Sequence, residues 1–180
     1  YTQARDLLNR RKEHARRTAV GPELEESTVD RVSRIVAGSY DAANGGFGSE
    51  PKFPNASILG FVNHLYRTSG EDFYAAMPTK TLDRITDGQV ADGQDGGFFR
   101  HCAYADWSEP QQEKMLEDNL GLAREFLNAS IILERPDYRE TAKQTIKYVL
   151  EQLYDPGIPG FRGSQGAHSD YFSLGKTQRT

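Results

Sequence analysis

Between Arg100 and Glu113 the sequence gathers side chains that could carry acid–base chemistry on a polar substrate. Arg100 is a fixed cation, His101 titrates near neutrality, Asp106 and Glu113 are carboxylates, and Trp107 offers a flat apolar plane of about the size of a sugar ring. A carbohydrate pocket uses such parts: charged groups for hydroxyls, an indole face for the ring, and acids and bases for proton transfer. In that reading His101 is the proton shuttle, Glu113 its carboxylate partner and Arg100 the group that polarises an oxygen. Asp106, Trp107, Asn119, Phe98 and Lys52 complete the candidate binding set. The same residue types also brace loops. For Asn119 two readings stand, a pocket residue or a brace for a glycine loop, because an amide inside an apolar helix face must be hydrogen-bonded.

The elements that would position these groups are helical. Val29, Val32, Val36 and Tyr40 form one stripe, with a cap offered by Ser27. Ile58, Phe61, Val62, Leu65 and Tyr66 form another, stopped by Gly70. Pro78 divides the next stretch into a turn over 73–77 and a helix over 79–87. Ser108 and Gln111 have the spacing of a capping box, with Pro110 in the first turn, so a long helix is expected from there to Glu134. Its apolar residues, Met115 through Ile131, cover an arc of about 200° at roughly 100° per residue, which marks an inner helix covered on both flanks. On it, Lys114 and Asp118 have the spacing of a surface ion pair. The following helix, 136–154, keeps Tyr138, Ala142, Thr145, Val149 and Leu153 in a narrower band and reads as an outer one.

Organisation comes from a repeat. Gly45-Gly46-Phe47, Gly96-Gly97-Phe98 and Pro159-Gly160-Phe161 each follow a helix and an Asp-containing turn, at a spacing that a helix pair with short connections consumes. Glycine lets the backbone turn with positive φ, and the phenylalanine plugs the loop onto the core. The fold class expected is all-α: a partial α/α toroid of helix hairpins with Gly-Gly-Phe loops. Residues 1–21 read as a linker or connecting helix, and 22–180 as the first part of the toroid, about three hairpins. The remainder of the ring would come from a longer chain or a partner subunit covering the open apolar edge.

Composition sets bounds on function. With 180 residues, 37% hydrophobic and 27% charged, the chain can bury a core. A net charge of −4 gives no global field for nucleic acid, and the run Arg10, Arg11, Lys12, Arg16 and Arg17 reads as a solvated helix face. The lone Cys102 excludes an internal disulfide and reads as a small core residue. No apolar run is long enough to cross a bilayer, and no signal peptide is evident, so a cytoplasmic location is expected, with no membrane contact. His14, His64, His101 and His168 are isolated from one another, so neither a metal site nor a cofactor is expected.

The segments GGFGSEPKFP (45–54), DGGFFRHCAYADW (95–107), EPQQEKMLEDN (109–119) and GFRGSQGAHSDYFSL (160–174) together resemble the thioredoxin-domain-containing family related to spermatogenesis-associated protein 20, over residues 23–174. The resemblance implies an N-terminal thioredoxin-like domain followed by an (α/α)6 toroid like that of N-acylglucosamine 2-epimerase and the six-hairpin glycosidases. It implies sugar-related chemistry only through the fold. Two departures stand out. Gln111-Gln112 replaces a family His-Phe, which removes an imidazole, and Gly166-Ala167-His168 replaces an acidic Asp-Ala-Asp. They favour, beside a carbohydrate-binding pocket of isomerase or hydrolase ancestry, a second reading as a non-catalytic interaction module. A prenyltransferase-like toroid is disfavoured, since no zinc-ligand set has workable spacing.

Overall fold

The computed structural model describes residues 26–157 and 160–166. Residues 1–21, expected to be a linker, lie outside that range, as do Pro159 of the third repeat and His168. Two compact units divide the chain, Tyr1–Ile35 and Val36–Thr180, and the repeat loops, the strands and every helix after the first belong to the second.

The helices are α1 (Glu26–Gly38), α2 (Ala56–Ser69), α3 (Asp72–Asp87), α4 (Leu116–Ile132) and α5 (Pro136–Tyr148), the last continuing as a π-helical turn over Val149–Leu153. Short strands join them in antiparallel pairs: β1 (His101–Cys102) with β2 (Pro110–Gln111), β3 (Lys114–Met115) with β6 (Ser164–Gln165), and β4 (Tyr154–Asp155) with β5 (Gly160–Phe161). Helix α2 packs on α3 and α4, and α4 on α5, the alternation of neighbours that a chain of helix hairpins produces. One core runs through these layers, with Leu59, Val62, Leu82, Ile85, Leu122 and Phe126 fully enclosed.

Helix α2 stops where expected, at Gly70 with φ 71°, whose N–H donates to Tyr66 O. The band expected on the outer helix is buried in full, Tyr138, Ala142, Thr145, Val149 and Leu153. Three expectations are corrected. Pro78 does not break α3, because Met77, Pro78, Thr81, Leu82 and Ile85 are all buried and their packing outweighs the lost backbone hydrogen bond. The long helix begins at Leu116 rather than near Ser108, because residues 110–115 are drawn into strand pairs with residues distant in sequence. Its apolar arc is covered on one flank: Leu122, Ala123, Phe126 and Ala129 are buried, whereas Leu120, Leu127 and Ile131 are exposed.

The first two repeat loops are built alike. Asp41 N–H donates to Gly46 O and Gly45 N–H to Asp41 O. Asp92 N–H likewise donates to Gly97 O, and Gly96 N–H to Asp92 O. All four glycines have positive φ, from 73° to 84°, a region that costs an ordinary residue its Cβ clearance. Phe47 and Phe98 are buried as plugs. A lysine with no exposed surface locks each loop: Lys52 Nζ donates to Asp41 Oδ2 at 2.8 Å, and Lys114 Nζ donates to Asp92 Oδ2 and to Gly96 O. The expected surface pair of Lys114 with Asp118 is therefore corrected, since strand β3 turns Lys114 inward. Burial alone would raise the Asp92 carboxyl, but the ammonium of Lys114 and the N–H groups of Gln94 and Asp95 outweigh it and hold it below the usual range.

Candidate functional site

Strand pairing assembles the polar face. With β1 against β2, Arg100 N–H donates to Glu113 O at 2.8 Å, and the two side chains meet as an ion pair, Arg100 to Glu113 Oε2 at 3.0 Å. Glu113 thus sits in an extended segment just ahead of α4, not in its first turn. The first turn of α4 instead carries Glu117 and Asp118. Facing it is the start of α2, entered through Asn55 in the left-handed region (φ 50°), whose amide donates to Phe53 O and Phe47 O and so ties the helix to the first repeat loop.

The N-terminal turns of α2 and α4 flank one cleft of about 620 Å³, lined by Phe53, Asn55, Ser57, Arg100, Asp118, Gly121 and Arg124, among others. Gly121 keeps this seam close, since a Cβ there would meet Ala56 at 2.9 Å. Two helix N-termini bring partial positive charge to the cleft. Asp118 is held protonated to higher pH than an ordinary carboxylate. Burial is the main cause, and Glu117 and Glu113 add to it, while Arg100 offsets part. The cleft therefore combines a carboxyl whose pKa is raised by burial with a guanidinium, the latter ion-paired to the neighbouring Glu113.

The expected site residues are dispersed between cleft and interior. Arg100 lines the cleft and holds Glu113. His101 stacks on Phe53, a cleft residue, with ring centroids 4.7 Å apart, and its Nδ1 is buried without a hydrogen-bond partner. Asp106 is in an exposed turn, its carboxyl lowered by hydrogen bonds from the Ser108 hydroxyl and N–H. Trp107 is 1% exposed and presents no ring face outward; its φ of 67° folds it beneath the first repeat loop, where Nε1–H donates to Asn44 O at 3.0 Å. Phe98 stacks on Phe126 in the core, and Lys52 is the lysine of the first loop. Asn119 takes the bracing role of its two readings: Oδ1 accepts from Phe98 N–H at 2.8 Å, and Nδ2 donates to Phe98 O at 3.0 Å. Cys102 is fully buried, and burial with the Asp106 charge pushes its thiol up to about 11, which keeps it unreactive.

Asp118 and Arg124 were not among the expected site residues. Adjacent carboxylates opening an apolar run, Leu116-Glu117-Asp118, are themselves a first-turn signature and mark the true helix start. Among the described residues no three His, Cys, Asp or Glu side chains converge as metal ligands, and no helix is long and apolar enough to cross a membrane.

These hairpins are the building units of the (α/α)6 toroids. Cellobiose 2-epimerase from Spirochaeta thermophila superposes with a TM-score of 0.67 at 15% identity, over 79% of this chain and 41% of that one. A GH76 α-mannanase from Bacteroides thetaiotaomicron gives 0.62 at 16% identity, over 74% and 40%. The fold is thus an all-α, partial toroid of the type seen in sugar epimerases and GH76 enzymes. In sequence, human spermatogenesis-associated protein 20 is 32% identical over 119 residues, 63% of this chain and 15% of that protein. The uncharacterized protein B0495.5 of Caenorhabditis elegans is 32% identical over 144 residues, 74% of this chain and 19% of that protein. The chain is homologous to these proteins and spans less than a fifth of their length. No family model matches it.

Proposed function

We propose that the cleft between the N-terminal turns of α2 and α4 binds a carbohydrate or related polyol, with Arg100 and Asp118 contacting its hydroxyls. The observation that carries this reading is the meeting of Arg100, ion-paired to Glu113 beside the cleft, with Asp118, whose carboxyl pKa burial pushes up, at two helix N-termini that flank one cleft. Arg100 would polarise a substrate oxygen, Asp118 would supply a proton, and Glu113, ion-paired to Arg100, would hold the guanidinium in place. His101 would act through Phe53, setting the far wall. That sugar epimerases and mannanases share the fold supports the ligand class by analogy. A panel of mono- and disaccharides and polyols, scored by thermal shift and by amide chemical shifts around Arg100 and Asp118, tests it. Binding should be lost in Arg100→Gln and weakened in Asp118→Asn; a panel without a single responder sinks the reading.

A second reading, a docking module, is favoured by one observation. Leu120, Leu127, Ile146 and Leu150 line a further groove of about 680 Å³ between α4 and α5, and each is exposed. We propose that further hairpins, from a longer chain or a partner subunit, cover this edge. Concentration-dependent self-association, abolished in Leu127→Lys, would support an uncovered edge; a strictly monomeric chain at millimolar concentration counts against it.

A further inference from the structure

The cleft that holds Arg100 and Asp118 also has an apolar wall, which hydroxyl recognition does not account for. Among the described residues, Phe53 is the one aromatic side chain lining it, and that side chain is 37% exposed. Trp107, expected from the sequence to offer a flat apolar plane, is buried under the first repeat loop and cannot serve. A phenyl ring left in water at a cleft is surface whose covering is favourable.

Backbone pairing explains why the ring stands there. Lys52 and Cys102 exchange both backbone hydrogen bonds, each N–H donating to the other's carbonyl, at 2.8 and 2.9 Å. That antiparallel register sets Phe53 beside His101. Successive side chains of an extended segment point to opposite sides, so with Lys52 and Cys102 fully buried, Phe53 and His101 turn the other way. Their rings stack, with centroids 4.7 Å apart and 27° between planes. Pro54 restricts Phe53 to extended backbone, and the Asn55 amide donates to Phe53 O at 3.2 Å. The phenyl ring is thus fixed before any ligand arrives, one face against the imidazole and the other left to the cleft it lines.

A side chain already held in place loses little freedom on binding. Its π face carries partial negative charge and attracts the slightly positive hydrogens of C–H groups whose carbons bear oxygen. A pyranose ring presents such a face, with axial C–H bonds clustered on one side and hydroxyls around its rim. An open-chain polyol has the hydroxyls but no fixed face.

We propose that Phe53 is the stacking platform of this cleft and selects a closed pyranose ring over an open-chain polyol, the ring face lying on the phenyl group while the hydroxyl rim meets Arg100 and Asp118. The inference rests on the carbohydrate reading of the cleft and narrows its ligand class. His101 is a positioning residue that backs the platform from behind.

The probes are the methyl pyranosides of glucose, mannose and galactose, each paired with its own alditol and titrated into the intact chain by NMR. At least one pyranoside should bind about ten-fold more tightly than its alditol. Saturation of the protein's aromatic protons should then pass to the protons on one face of the sugar ring. Phe53→Leu keeps an apolar side chain at an exposed position but removes the π face, so it should abolish most of that preference and the transfer. Phe53→Tyr should retain both. Equal affinity within every pair, or pyranoside binding unchanged in Phe53→Leu, would overturn the platform; with binding still lost in Arg100→Gln, the cleft itself would stand. A parent chain that binds no member of any pair overturns the platform and the carbohydrate reading together.

Discussion

Two of the repeat loops are locked by buried side chains, whereas the described residues of the third leave its rings exposed, although all three carry an aspartate ahead of a Gly-Phe pair. In the first two, the phenylalanine is 2% and 3% exposed, the aspartate meets a lysine with no exposed surface, and an aromatic from farther along the chain, Trp107 or Tyr148, presses on the second glycine. In the third, β4 and β5 pair in the same register, Tyr154 opposite Phe161, yet both rings are exposed, at 46% and 44%. Asp155 there pairs with Arg162, a half-exposed side chain, at 3.0 Å. The repeat motif thus supplies a turn, and burial by later chain converts the turn into a fixed wall. The cleft depends on the two locked loops, since Asn119 clamps the backbone of Phe98 and Asn55 that of Phe47.

The largest test of this difference removes the cations. Lys114→Met leaves the largely buried Asp92 without its counter-charge and should cost about 3–5 kcal/mol in urea unfolding, because a charge stripped of its partner in the interior keeps its desolvation penalty. Arg162→Met removes an exposed partner from Asp155 and should cost under about 1 kcal/mol. Equal losses would erase the distinction between locked and open loops.

The glycines sharpen it. Gly48 has φ 80° with nothing within 4 Å of a Cβ, so Gly48→Ala measures left-handed strain alone, about 1–2 kcal/mol. Gly97 has φ 73°, and a Cβ there would collide with the Tyr148 ring and lie 2.8 Å from Asn119 Oδ1. Gly97→Ala should therefore lose at least about 1 kcal/mol more than Gly48→Ala. If the two losses match, Tyr148 yields freely and the loop is less firmly held than its contacts suggest.

What the sequence revealed tracks the range of the interactions concerned. The repeat, the outer band from Tyr138 to Leu153 and the brace made by Asn119 were all legible, because each depends on periodicity or on a polar group within an apolar face. The start of α4 was not. Ser108, Pro110 and Gln111 satisfy a local capping rule, but pairing of residues 110–111 with 101–102 and of 114–115 with 164–165 takes them into extended structure. That shift moved Glu113 out of the helix, turned Lys114 inward and brought Asp118 to the cleft. Trp107 was misplaced for a related reason: its positive φ, rare for so bulky a residue, sends the indole inward, and no local pattern announces that. Pro78 shows the same balance in a helix, where burial outweighs a local breaker.

The smallest expected effect separates the cleft from the loops by sign. Asp92 in its locked loop has a lowered pKa, so its ionised form stabilises the fold above the unfolded value of about 3.9, and that stability is lost as pH falls through the lower folded value. Asp118 is the reverse. Its folded pKa is raised, so the folded chain binds its proton more tightly than the unfolded chain does, and stability declines as pH rises from about 4 through the folded value. Asp118→Asn, which cannot ionise, should match the parent in stability near pH 3 and exceed it at pH 7, in paired thermal melts across that range. Residues that tune chemistry are commonly held at such a cost, whereas structural ion pairs are not. A variant less stable than the parent at pH 7 would put Asp118 with Asp92, as part of the scaffold, and leave the cleft without its acid.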